Sequence, residues 1–187
     1  RNRNRIKTAN GVRWLTIPVK TPELETNKTP INQVRTDWAR PWNQIHWQTL
    51  RESYSKAPYF QCFQADLEET YHTRPVFLAD FTIQLTTVLA RMIGIEHTRF
   101  MRSSEMQNLK GVKTDRLLDI LTRVEATEYL TGPAAKDYLQ PELFTQAGIK
   151  LEYMEYDYPE YLQLYPPFDP QVTILDLLFM TGPNALS

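Results

Sequence analysis

The sequence predicts an α/β fold: a largely parallel sheet with βαβ crossovers in the C-terminal half, and an N-terminal β-hairpin with helices packed on it. Three observations carry this. Two strand-like runs flank Ala9-Asn10-Gly11, and between residues 37 and 94 apolar side chains recur every three or four positions. After Ile95 short apolar runs alternate with helix-period stretches, the pattern of βαβ units.

In chain order, Ile6 to Lys20 reads as a hairpin, with Val12-Arg13-Trp14-Leu15-Thr16-Ile17 as its second strand and Pro18 at an edge or strand end. Residues 21 to 33 are polar with two prolines, the composition of an exposed connector that could also serve as a flap. Asp37 can cap a helix through Trp38, Trp42, Ile45, His46, Leu50 and Tyr54, with Pro41 near its first turn. A second helix carries Phe60, Phe63, Leu67 and Tyr71. A third opens at Pro75 and runs to a stop at Gly94.

Beyond Gly94 the expected order is strand Thr98-Arg99-Phe100-Met101, helix 114–124, strand Tyr129-Leu130, helix 141–147 and strand 149–156. Two crossovers of this kind favour parallel strands joined right-handedly. Thr173 and Asp176 stand three apart, like a capping box opening a last helix that Gly182-Pro183 closes. The whole reads as one domain, 1–187, with a hairpin and helical part (1–94) and an alternating part (95–187).

Composition narrows the function classes. With 187 residues, 42% of them hydrophobic, the chain can bury a core of ordinary size. A net charge of −1 gives no basic surplus for a phosphate backbone, so nucleic acid is not an expected partner. One cysteine, Cys62, permits no internal disulfide and reads as a packing residue in a protein of the reducing cytoplasm. His46, His72 and His97 lack metal-ligand spacing; no metal and no cofactor are expected. No apolar run reaches the ~18 residues of a membrane span. The chain opens on Arg1-Asn2-Arg3-Asn4-Arg5 without a methionine, which suggests that a preceding segment is missing.

Six glycines can each be asked for a reason. Gly11 suits the hairpin turn, and Gly94, Gly148 and Gly182 suit helix ends. Gly111 and Gly132 are left over, and Gly132 sits where a strand breaks off. Ligands of open α/β sheets bind outside the carboxyl ends of strands, so three such ends can be read together: Ser103-Ser104-Glu105, Thr131-Gly132-Pro133 with Lys136, and Tyr156-Asp157-Tyr158. Hydroxyls, an ammonium, carboxylates and aromatic faces would then converge on a polar, anionic or sugar-like ligand. Ser103-Ser104-Glu105 can equally well turn the chain, with Lys136 simply solvated. His46, on the edge of an aromatic stripe, is a candidate general base or a hydrogen-bonded structural histidine. Asn2, Asn4, Arg5 and Lys7 form a dense polar opening that lines either an exposed edge or a cleft. Asp115 fits the favourable charge of a helix N-terminus. Hydrolase-elbow, P-loop and dinucleotide signatures are absent.

Several stretches together resemble one family, the WbqC-like proteins of bacterial surface-polysaccharide gene clusters. They are Asn2-Arg3-Asn4-Arg5-Ile6-Lys7 with Trp14-Leu15-Thr16-Ile17-Pro18-Val19, the His46 helix leading into Tyr54-Ser55-Lys56-Ala57-Pro58-Tyr59-Phe60, and Ser103-Ser104-Glu105. The series continues with Lys113-Thr114-Asp115-Arg116, Tyr129-Leu130-Thr131-Gly132-Pro133 with Lys136 and Tyr138, Tyr158-Pro159 with Tyr161 and Gln163, and Asp176-Leu177-Leu178-Phe179. Members usually begin with His-Gln-Pro and Trp-Leu-Gly-Tyr-Phe stretches, which this sequence lacks. Thr131 replaces a common serine, and Ala134-Ala135 replace common glycines.

The resemblance implies a transferase that moves an acyl or aminoacyl group, glycine-like, onto a sugar of O-antigen, a role inferred from gene neighbourhood. Its implied partners are a small-molecule substrate, such as a nucleotide-sugar, and an acyl or aminoacyl donor. Catalytic roles would fall to His46, Ser103, Ser104 and Lys136. Substrate contacts would come from Asn4, Lys7, Glu105, Asp115, Thr131, Gly132, Pro133, Tyr138, Tyr158 and Gln163. A rival from another class is a non-catalytic sugar-binding or scaffolding module.

Overall fold

The computed structural model describes residues 2–21 and 29–185. Most of the expected loop at 21–33 therefore lies outside the described residues. The chain forms two compact units: Arg1–Arg99 with Pro159–Ser187, and Phe100–Tyr158.

In the first unit β1 (Arg3–Thr8) and β2 (Gly11–Thr16) pair antiparallel, Arg3 opposite Thr16 and Thr8 opposite Gly11. Positive φ falls on Gly11 alone in this turn, at +96°, as in a turn closed by a glycine bulge. Strand alternation puts Asn4 and Ile6 on one face with Leu15, and Arg3 and Arg5 on the other with Trp14. The guanidinium carbons of Arg3 and Arg5 lie 4.5 and 5.7 Å from the Trp14 ring centre.

Helix α1 (Trp42–Tyr54) starts later than Asp37 would allow. Asp37 donates its backbone N–H to Pro18 and accepts Ala39 N–H on its carboxylate, and the residue before Pro41 is steered away from helical angles. Helix α3 (Leu78–Met92) likewise begins beyond Pro75, because Thr36 N–H bonds the Val76 carbonyl and keeps that segment extended. Between them runs α2 (Phe60–His72), whose outer face carries Cys62; the thiol is exposed, not packed as its neighbours suggested. Helix α6 (Ile174–Thr181) completes the unit. Trp47 of α1 stacks between Phe60 and Tyr71 of α2, at 6.1 and 6.2 Å, while Phe179 of α6 packs on Tyr54 and Phe60.

The second unit holds α4 (Lys113–Arg123), β3 (Glu128–Thr131), α5 (Pro141–Gln146) and β4 (Lys150–Tyr153). Strands β3 and β4 are parallel with α5 as the crossover, around a core centred on Phe144, which stacks on Tyr129 at 5.8 Å. The fold is thus α/β, but its sheets are one antiparallel and one parallel pair, less extensively parallel than the sequence suggests. Thr98-Arg99-Phe100-Met101 forms no strand: among the described residues it has no pairing partner, and both Phe100 and Met101 are exposed. Strand β4 stops short of Tyr156 because its last ladder bond, Met154 N–H to the Thr131 carbonyl, comes where Pro133 ends the partner strand. No helix among the described residues is long and apolar enough to cross a membrane.

Candidate functional site

The expected site residues fall in both units. In the second, parallel pairing of β3 and β4 brings two of the three expected strand ends together. A Cβ on Gly132 would sit 3.6 Å from the Tyr156 hydroxyl, and Lys136 Nζ lies 5.1 Å from the Tyr153 ring centre. Tyr156 and Tyr158 stack at 6.0 Å and are each 52% exposed. Gly132 itself has φ −73° and ψ 157°, ordinary extended geometry, so it does not mark a turn that only glycine can make. Pro133 opens a single-turn 3₁₀ segment through Asp137 that places Lys136 and Tyr138 in solvent, while Thr131 Oγ1 accepts from Tyr129. Ser103, Ser104 and Glu105 form an exposed 3₁₀ turn in the same unit, with Glu105 4.0 Å from Arg102. Asp115 is exposed in the first turn of α4, as a favourable charge there should be.

In the first unit Lys7 and Gln163 meet, although 156 residues apart. Lys7 is only 4% exposed; its ammonium donates to Gln163 Oε1 at 3.2 Å and to the Pro167 carbonyl. Gln163 Nε2 donates to the Tyr161 hydroxyl and the Asp169 carbonyl. Tyr161 and Tyr54 then donate one hydrogen bond each, both 2.9 Å, to the two oxygens of Asp176, which is 0% exposed. Tyr54 also accepts the Lys7 backbone N–H at 2.9 Å. Burial, reinforced for Tyr54 by the Asp176 carboxylate, raises both phenols above their ordinary range, so they serve as neutral donors. The sequence reading placed Asp176 in a capping box. Instead, the Thr173 N–H that its carboxylate would accept goes to the Arg5 carbonyl, which frees Asp176 for the tyrosines.

A cavity of about 330 Å³ opens between the Asn4 face of the hairpin and helix α3. His46 lines it from α1, with Asn4 at its hairpin side. His46 is buried, and its Nε2 lies 3.1 Å from the Thr16 carbonyl, an acceptor, so the proton resides on Nε2 and Nδ1 keeps its lone pair. Burial holds the His46 pKa down to about 4; the Thr16 hydrogen bond opposes this and the Arg13 charge adds to it. The ring is therefore neutral at physiological pH. Because the unfolded chain takes up this proton near the ordinary value of 6.5, stability should be unaffected above that pH and should fall as pH drops from 6.5 towards 4. Denaturant unfolding across this range should show that slope, and His46→Gln should flatten it.

Sequence reading missed the α3 contribution to this cavity. Phe81, Leu85 and Leu89 form an apolar stripe, and Thr82 and Thr86 form a hydroxyl stripe beside it. The i, i+4 spacing was visible, but which stripe faced the hairpin was not.

With the geometry in place, comparison with known proteins adds a family. The WbqC-like protein family matches residues 1–187. The chain belongs to that family. The uncharacterized protein Rv1507c of Mycobacterium tuberculosis is 36% identical to this WbqC-like chain, over 99% of the chain and 79% of the relative. No solved structure matches it.

Proposed function

We propose that this WbqC-like protein is a transferase that moves an acyl or aminoacyl group onto a sugar or related small polar acceptor. The observation that carries the reading is His46: a neutral imidazole, its tautomer set by Thr16, lining a cavity with an amide beside it. Such a ring can take a proton from an acceptor hydroxyl or amine through Nδ1 as that oxygen or nitrogen attacks the acyl carbonyl carbon. The new bond forms to the acyl carbon, the bond to the donor's leaving group breaks with its electron pair, and the proton can pass from His46 to that group. Bacterial surface-polysaccharide assembly is the setting that the family resemblance implies, and a cytoplasmic location accords with the lone cysteine.

Mass spectrometry of products after incubation with candidate acyl or aminoacyl donors and sugars tests the reaction. His46→Ala should lower turnover by about 10²- to 10⁴-fold with binding retained, the usual worth of a general base. Lys136→Ala tests the catalytic role that the family resemblance implies for that lysine, and a reduced turnover is expected. Full turnover in both variants, with folding intact, would refute these roles.

A second reading, a non-catalytic module that binds a sugar or nucleotide-sugar, draws support from the exposed Tyr156–Tyr158 stack near the Gly132 turn, a surface on which a ring can lie. It predicts a thermal shift with nucleotide-sugars that Tyr158→Ala abolishes, and no turnover with any donor.

A further inference from the structure

The hydrogen-bonding groups around the His46 cavity are already half used, and what each has left defines a ligand. Asn2 donates one amide N–H to the Ile17 carbonyl at 3.0 Å, leaving its carbonyl oxygen to accept and its second N–H to donate. Asn4 does the reverse: its oxygen takes the Arg5 N–H at 2.8 Å, leaving its N–H groups to donate. On α3 the Thr82 and Thr86 hydroxyls give their protons to the Leu78 and Thr82 carbonyls, at 3.1 and 2.8 Å, so each can only accept. His46 has Nδ1 as an acceptor.

Most of the remaining wall is carbon, from Ile6, Leu15 and Ile17 on the hairpin and Phe81, Leu85 and Leu89 on α3, and Tyr71 and Thr173 add two further neutral hydroxyl-bearing side chains to the lining. Arg3 borders the cavity, but strand alternation sends its guanidinium to the opposite face, where it stacks on Trp14. Arg13, whose charge reaches His46, lines a different cavity beside the hairpin turn. Among the described residues no fixed cation is therefore turned inward to meet an anion, and apart from Arg3 each polar wall residue is an uncharged donor or acceptor.

We infer that this cavity binds one uncharged, hydroxyl-bearing ring with an apolar face, a deoxysugar in class. A hydroxyl both donates and accepts, which is what a wall of mixed, half-used neutral groups can satisfy, and a ring methyl suits the leucine and isoleucine side. At about 330 Å³ the space lies at the low end of the usual ~300–1,000 Å³ ligand range, which suits a single ring. Only in naming this ring as the acceptor does the inference rest on the transferase reading; binding itself can be measured without turnover.

The test is methyl-detected NMR of the full chain, following the Leu85 and Leu89 methyl groups during titration with methyl rhamnopyranoside. Two controls are its tri-O-methyl ether, which has no donors, and methyl glucuronide, which has donors and a negative charge. The rhamnoside should shift both leucines, and each control should bind at least about 10-fold more weakly, the scale of one or two lost hydrogen bonds. Thr82→Val with Thr86→Val, isosteric changes that remove two acceptors, should weaken the rhamnoside by a similar factor without altering the unfolding midpoint by more than a small margin. Equal binding of the ether would make the site a plain apolar hole. Equal binding of the glucuronide, or no shift with the rhamnoside at tens of millimolar, would also overturn the inference. If rhamnoside binds but no acyl transfer occurs with any donor, the transferase reading fails and the cavity assignment stands.

Discussion

Asp176→Ala is expected to cost about 3–5 kcal/mol of folding stability, the largest effect of any single polar substitution in the first unit. Removing the carboxylate strands the Tyr54 and Tyr161 hydroxyls, whose protons point at its two oxygens from 2.9 Å each. Those hydroxyls also hold the Lys7 backbone and the Gln163 side chain, and Gln163 in turn holds the Lys7 ammonium. A fully connected buried network becomes one with several unmet groups, and each buried unmet group costs about 1–3 kcal/mol. Asp176→Asn keeps the shape but replaces one accepting oxygen with an amide donor aimed at a hydroxyl that already donates towards it. Its cost should be about 2–3 kcal/mol. Urea unfolding midpoints of the two variants and of Tyr161→Phe would check this. An Asp176→Ala protein within 1 kcal/mol of the parent would mean that the network contributes little.

Gly182→Ala should cost about 3 kcal/mol, from two sources that act together. Its backbone has φ +62° and ψ −134°, a region that essentially only glycine occupies. A Cβ there would also fall 2.4 Å from Cδ1 of the Tyr59 ring. Tyr59 cannot easily withdraw, since its N–H is bonded to the Phe179 carbonyl at 3.0 Å, which ties the start of α2 to α6. At this chain length such a loss corresponds to a melting temperature lower by roughly 6–12 °C. Gly132→Ala is the natural control: its backbone is extended and its nearest neighbour would be the Tyr156 hydroxyl at 3.6 Å, so the change should stay within about 0.5 kcal/mol. If both glycines responded alike to differential scanning calorimetry, backbone geometry would not be the deciding factor.

These two glycines also show how far composition reaches. Their sequence settings look similar, since each is followed by proline and each closes an apolar run, Tyr129-Leu130 or Leu177-Leu178-Phe179. The helix-stop reading of Gly182 was sound because a 3.6-residue period led up to it. Gly132, left over in the same accounting, has ordinary extended angles, and the four residues of strand before it carry no comparable signal. The missing strand at Thr98-Arg99-Phe100-Met101 has the same cause: strand composition is only a tendency until another strand supplies hydrogen bonds, and among the described residues none does.

What the sequence alone determined is local. The hairpin, the helices and the β3–α5–β4 crossover follow from periods of two and 3.6 and from turn residues, all expressed within a few positions along the chain. Placing His46 on an aromatic helix face was within that reach. Only the tertiary structure decided that Thr16 would set its tautomer, that the Thr82 and Thr86 stripe of α3 would face the hairpin, and that Lys7, Gln163 and Asp176 would share one buried network. The reason is physical: an ionisable side chain on its own strand or helix is equally well solvated wherever it points. Its burial is settled by what partners arrive from 100 or more residues away to satisfy it.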